Sequence, residues 1–361
     1  MKTGIITFHR ALNYGAILQS YALWQIINSF DIPCEIIDYR CKFIEELYKP
    51  FSVGHCADFS SKMKKCIKSP FLAKKRKAFD AFSKKHMTLT SKCSTKPELL
   101  SVCKDLDTIV SGSDQVFNPE AAGGDFSYFL DFVPSDIRKI AYGGSLGYST
   151  FPEKYAPECI RYLKNFDSIS VREKSVCNSL EILLGKEVQN VLDPVLAVDE
   201  SVWKELSERP KNLPDKYILV YLMEGCEYCI DKAREIAKEK NCSLVLINPN
   251  LKQLVKCRDF IMYPYASPEE FLGIFDSAQG VVTNSFHGVA FSLIFRKEFY
   301  AEVSNVKKAS RISDLLDLSC LSDRLLPNAA SCNIDWKKVE MVLCEERKKS
   351  VAWLGNVIHI K

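Results

Sequence analysis

The chain has 361 residues, 47% of them hydrophobic and 26% charged, with a formal net charge of +4. That length exceeds one comfortable hydrophobic core and the composition is that of a globular protein, so two domains are expected and disorder is not. So mild a charge gives no electrostatic case for nucleic acid, no apolar run reaches the ~18–20 residues that span a bilayer, and the N-terminus lacks an apolar core of signal-peptide length.

In chain order, "GIITF" (4–8) reads as a strand, and "AILQSYALWQIINSF" (16–30) as a helix with Leu18, Tyr21, Ala22 and Ile26 at helical spacing. The loop between them holds Asn13 and Gly15. Gly15 lets the backbone approach a ligand, and a helix starting near Ala16 would offer unpaired N–H groups to an anion or a sugar hydroxyl. Neither GxGxxG nor GxxxxGK[ST] is present there, which argues against NAD or ATP chemistry. "CEIIDY" (34–39) is the next strand, and His9, at the end of the first, reads as a turn histidine.

Residues 61–86 hold ten Lys or Arg against a single Asp. One reading is a basic amphipathic helix in peripheral contact with an anionic membrane. The other, favoured because Pro70 interrupts the stretch and the apolar face is narrow, is a solvated face with Phe71, Phe79 and Phe82 turned inward.

Strands follow at 107–112, 139–144, 168–173 and 188–193, and their exits are polar. "SGSDQVFNP" brings Ser113 and Asp114 together, "AYGGSLG" sets Ser145 among glycines, and "SVREKS" puts Arg172 at a strand end. A second series of strands runs through 217–222, 242–247, 260–264, 280–284 and 298–302. This alternation predicts parallel βαβ units in two Rossmann-like domains, 1–200 and 201–361, the second carrying a C-terminal helix. In "VVTNSFHGVAFSLIF" (281–295) His287 sits in the turn between strand and helix, with Asn284 and Ser285 as possible caps. The fifteen cysteines suit a reducing cytoplasm, and the CxxC pair Cys226 and Cys229 has no second ligand pair and reads as structural or incidental. No metal cluster and no cofactor are expected.

"NYGAILQSYAL", "SGSDQVFNP", "KIAYGGSLG", "SVREKS", "LDPVL" and "TNSFHG", in that order within about residues 3–330, resemble the polysaccharide pyruvyl transferase family. The resemblance implies an α/β fold of two Rossmann-like domains facing across a cleft, similar to the GT-B glycosyltransferases. It also implies an enzyme that moves the enolpyruvyl unit of phosphoenolpyruvate onto two hydroxyls of a sugar, forming a pyruvate ketal and releasing phosphate. The acceptor would be a surface polysaccharide or its lipid-linked precursor, and the enzyme cytoplasmic, with contact to the inner membrane face left open. His287 matches the family's active-site histidine and Arg172 an arginine that binds the donor. Ser285 lies beside them on the donor side, and a donor-binding lysine falls on Lys307 or Lys308. Asn13, Gly15, Ser113, Asp114 and Ser145 would line the cleft on the acceptor side. Where some members carry an acidic residue after the first-loop glycine, this chain has Ala16.

The chemistry suits these residue types. Phosphoenolpyruvate presents a phosphate and a carboxylate, and the guanidinium fork matches either. Ketal formation protonates C3 of the donor and deprotonates sugar hydroxyls, and an imidazole of ordinary pKa ~6.5 can move either proton. Two other readings are a GT-B glycosyltransferase using a nucleotide sugar, whose carboxylate pair is not evident, and a non-catalytic glycan-binding protein of the same fold, against which both Arg172 and His287 speak.

Overall fold

A computed structural model describes residues 1–49, 59–148, 150–303, 310–329 and 333–359. The chain divides into two compact units. The first comprises Met1–Tyr48, Ser83–Val198 and Leu343–Lys361, the second Lys49–Phe82 and Asp199–Val342. The switch at Val198 to Asp199 lies beside the expected division at residue 200, but two further segments, 49–82 and 343–361, belong to the unit opposite to the one that division assigns them.

From the N-terminus come β1 (Thr3–Ile6), α1 (Tyr14–Asn28), β2 (Cys34–Ile36), α2 (Lys42–Tyr48), α3 (Phe59–His86) and α4 (Lys96–Cys103). They are followed by β3 (Thr108–Ser111), β4 (Arg138–Gly144), α5 (Ala156–Leu163), β5 (Ser168–Val171), α6 (Lys174–Leu184), β6 (Val188–Asn190) and α7 (Pro194–Ala197). All six strands pair in parallel in the order β2-β1-β3-β4-β5-β6. Ile5, Ile6, Ile109, Val110, Ile140 and Ala141 are fully enclosed, because helices cover both faces of a parallel sheet and leave no side for alternating polar residues.

The second unit adds α8 (Glu200–Leu206), β7 (Tyr217–Tyr221), α9 (Glu227–Glu239), β8 (Ser243–Ile247), α10 (Leu251–Lys256) and β9 (Ile261–Tyr263). Then come α11 (Pro268–Ser277), β10 (Gly280–Thr283), α12 (Phe286–Ile294), β11 (Phe299–Ala301), α13 (Ser310–Leu318) and α14 (Trp336–His359), the last crossing into the first unit's residues at Leu343. Its sheet, also wholly parallel, is ordered β11-β10-β7-β8-β9. Strand order therefore reverses between β1 and β3 in the first unit and between β7 and β10 in the second. Loops leaving adjacent strands to opposite faces open a crevice at such points, where α/β sheets bind ligands.

Helix α3 runs unbroken through Pro70, contrary to the expected interruption. Phe79 and Phe82 are buried as expected, while Phe71 is half-buried and stacks on Tyr265 at 6.2 Å between centroids. This tertiary packing outweighs the one backbone bond that proline removes. Lys75, on the same helix, is only 3% exposed, and its Nζ donates to Asn248 Oδ1 at 3.0 Å. Burial pushes this amine down to about 7. No helix among the described residues is long and apolar enough to cross a membrane.

Candidate functional site

In the first unit the four polar strand exits converge. The Arg172 side chain, at the end of β5, is 1% exposed. Its Nη1 donates to Asp193 Oδ2 at 2.5 Å, its Nη2 stands 3.5 Å from Asp114 Oδ1, and its Nε 3.5 Å from Glu173 Oε1. Ser113 Oγ donates to the same Asp193 oxygen at 2.9 Å, and Ser145 Oγ donates to Glu173. Burial alone would weaken the guanidinium's hold on its proton, but Asp193, Glu173 and Asp114 together raise it.

Backbone geometry makes this meeting possible. Asp114 is left-handed at φ 73°, and its carbonyl accepts from the Ser145 N–H at 2.9 Å. Strand β4 shifts register between Ala141 and Gly144, with Gly143 at φ 59° donating its N–H to Ser170 Oγ. A Cβ on Gly144 would lie 2.3 Å from the Phe117 ring. The paired glycines of "AYGGSLG" thus serve a bulge that turns Ser145 towards Glu173. Thr7 Oγ1, just past β1, donates to the Ser113 carbonyl at 3.1 Å, which ties the cluster to the point where strand order reverses.

Ser113, Asp114, Ser145 and Arg172 therefore come together, all four buried. The geometry adds Asp193 and Glu173, both inside quoted motifs, whose role depends on a meeting between distant segments that local pattern does not show. Asn13 has a different task. It is the N-cap of α1 and accepts from the Gly15 N–H at 2.9 Å and the Ala16 N–H at 3.4 Å. The helix begins at Tyr14, so Gly15 lies within its first turn and those two N–H groups are taken by the cap rather than offered outward. His9 is buried, with Nε2 3.2 Å from Asp38 Oδ1 and Nδ1 3.2 Å from the Thr7 carbonyl. Burial raises the Asp38 carboxyl, but hydrogen bonds from His9 and Arg40 outweigh it and hold the group well below the usual carboxylate range.

In the second unit α12 starts one residue before His287, which lies in the helix's first turn and is 6% exposed. A turn position was expected, but the residue is helical and its ring is enclosed, with Phe286 edge-on at 5.2 Å. Ser285 is the N-cap yet makes no side-chain capping bond. Its N–H donates to Thr283 Oγ1 at 3.1 Å, and that hydroxyl in turn donates to the Tyr221 carbonyl at 2.6 Å. Asn284 is not a cap. Its carboxamide accepts from Met223 N–H at 2.8 Å and donates to the Glu224 carbonyl at 3.1 Å, joining the exits of β7 and β10. Gly288 is required by close approach, since a Cβ there would stand 2.1 Å from Thr283 Oγ1. His287 and Ser285 thus occupy an N-terminus that points out of the carboxyl edge of the sheet, beside its reversal point, where the helix dipole favours anions. Lys307 and Lys308 lie outside the described residues.

The CxxC pair lies at the same edge. Cys226 is the N-cap of α9, its Sγ accepting from Cys229 N–H at 3.2 Å, and Glu302, next after β11, completes a group whose ligand atoms lie within 4.8 Å of one another.

No curated protein matches the chain in sequence. Among solved structures it is similar to the UDP-GlcNAc 2-epimerase of Methanocaldococcus jannaschii in complex with UDP-GlcNAc and UDP, with 15% identity, 99% of each chain covered and a TM-score of 0.56. It is also similar to S. aureus MnaA with UDP, at 12% identity, 96% of this chain and 88% of the other, and a TM-score of 0.52. At such identities the likeness concerns fold alone: α/β, with two Rossmann-like units, each built on a wholly parallel sheet. The polysaccharide pyruvyl transferase family model matches residues 13–302, from the cap of α1 to Glu302 and across every motif described above. The chain belongs to the polysaccharide pyruvyl transferase family.

Proposed function

We propose that this family member transfers the enolpyruvyl unit of phosphoenolpyruvate to two hydroxyls of a sugar in a surface glycan or its lipid-linked precursor. The observation that carries the reading is His287 in the first turn of α12, at an N-terminus whose cap residue keeps its hydroxyl out of capping. An anion accepts from helix N-terminal N–H groups there, and the Ser285 hydroxyl stands ready as a further donor. The imidazole beside it moves the protons.

In the balanced reaction one sugar oxygen adds to C2 of the donor while C3 gains a proton and becomes a methyl group. The second oxygen then displaces phosphate from C2, closing the ketal, and the two hydroxyl protons are those delivered to C3 and to the medium. His287 takes a proton from a hydroxyl in one step and returns it in another. Lys307 or Lys308 would add charge for the donor's phosphate or carboxylate. The Arg172 guanidinium is occupied by Asp114, Glu173 and Asp193, so its part is to hold the strand exits of the first unit in place, and contact with the donor would require it to exchange one of those carboxylates.

The test is phosphate release from phosphoenolpyruvate with a panel of galactose-, mannose- and glucose-terminated acceptors. Acceptor-dependent release, with a product that is heavier by a pyruvate ketal, supports the reading. Stabilisation of the protein by UDP-sugars but not by phosphoenolpyruvate, with no release on any acceptor, would replace it with a nucleotide-sugar enzyme of the same fold.

A further inference from the structure

We propose that Cys226, Cys229 and Glu302 form a binding site for a divalent transition-metal ion, of which zinc is the best match. The site follows from strand order. β7 and β11 flank β10 in the sheet, so the residues leaving their carboxyl ends lie on either side of the β10 exit. Cys226 opens α9 after β7, Cys229 follows one turn later, and Glu302 is the residue after β11. The Glu302 N–H donates to the Thr283 carbonyl at the end of β10, at 2.9 Å, which fixes the carboxylate's starting point beside the two thiols.

The three ligand atoms all lie within 4.8 Å of one another. Ligands around a tetrahedral zinc at ~2.0–2.3 Å stand ~3–4 Å apart, so closure needs only side-chain rotation. The Cys229 N–H already donates to Cys226 Sγ at 3.2 Å, and it shares with the α9 N-terminus the task of favouring a thiolate there. Such bonds to ligand atoms orient a metal site from behind. Cys229 is buried, while Cys226 and Glu302 are half-buried, which leaves a route of entry and a fourth position for water or a substrate oxygen. Two thiolates exclude magnesium and calcium as natural occupants, and the carboxylate suits zinc better than copper(I). The ion would cross-link the β7 exit to the β11 exit on both sides of the loop that carries Asn284 and Ser285. The proposal stands apart from the pyruvyl-transfer reading and is tested without activity.

The experiment titrates the reduced, metal-free full chain with cobalt(II) under anaerobic conditions, followed by zinc(II), with metal content measured alongside. The expected result is a single cobalt per chain with thiolate-to-cobalt charge-transfer absorption, lost on adding zinc, and a higher melting temperature with zinc. Cys226→Ser should abolish the absorption. Glu302→Gln should weaken cobalt binding by at least about tenfold. Cys320→Ser, at an exposed cysteine elsewhere, should change neither. Should Cys226→Ser fail to fold, the Glu302→Gln titration decides alone. Absence of charge-transfer absorption in the reduced wild type overturns the proposal, as does absorption that persists in folded Cys226→Ser or binding unchanged in Glu302→Gln. So does a reduced chain that takes up no metal but forms a Cys226–Cys229 disulfide when glutathione disulfide accepts its two electrons and two protons.

Discussion

At the carboxyl end of the first sheet a guanidinium meets three carboxylates and two serine hydroxyls, whereas at that of the second a histidine lies in the first turn of a helix whose cap residue makes no side-chain capping bond. The first arrangement is buried and turned inward, one guanidinium held among three carboxylates, and its value lies in joining the exits of β3, β4, β5 and β6. The second leaves its dipole and hydroxyl to meet something else. On the proposed reading, the two edges of similar topology would divide the work, the first holding shape and the second supplying the chemistry.

The comparison is broken most forcefully at Arg172. Removing one partner of a buried ionic cluster strands the others, so Arg172→Ala should lower unfolding free energy by about 3–5 kcal/mol, read by denaturant titration. A variant of wild-type stability whose only defect is a raised KM for phosphoenolpyruvate would instead make Arg172 a donor ligand.

At His287 the expected effect is on rate. His287→Asn should reduce kcat by ~10²–10⁴-fold, the usual worth of general acid–base catalysis, while stability shifts by no more than about 1–2 kcal/mol. Phosphate release by the folded variant at near-normal turnover would remove the histidine from proton transfer.

Gly288→Ala sharpens the contrast, because it disturbs the second edge without touching its chemistry. The added Cβ meets Thr283 Oγ1 at 2.1 Å and Thr283 Cβ at 2.9 Å, both on a fully buried residue, so α12 must shift at a cost of about 1–3 kcal/mol. Its melting temperature and kcat should fall together. A variant as stable and as active as wild type would show that this close approach is not needed.

A last effect, spread over several pH units, concerns Lys75. Its amine is pushed down to about 7 from an ordinary value of 10.5. Between those values the unfolded chain binds a proton that the folded chain lacks, so stability from this group rises with pH, by up to about 1.4 kcal/mol per unit, and falls again as pH drops towards 7. Lys75→Met should flatten the unfolding profile across this window. An unchanged slope would mean that Lys75 stays charged in the folded protein.

Much of this organisation is legible in the residues alone. The alternation of short apolar runs with amphipathic ones declares parallel βαβ units, since a strand covered on both faces must be apolar throughout. The ordered motifs mark the strand exits, and "TNSFHG" places a histidine and its glycine where strand gives way to helix. What that pattern lacks is anything about who stands next to whom. Periodicity reports which side of an element is apolar, but not that β3 lies beside β1, or that β10 lies between β7 and β11. Hence Asp193 and Glu173 as partners of Arg172, and Glu302 as partner of the CxxC pair, came only from tertiary structure. The same holds for α3, where buried Phe79 and Phe82 overrule Pro70, and for segments 49–82 and 343–361, which join the unit opposite to the one their sequence position suggests. Each turns on contacts between segments far apart in the chain, and the free energy of such a contact depends on distance in space, which local sequence does not encode.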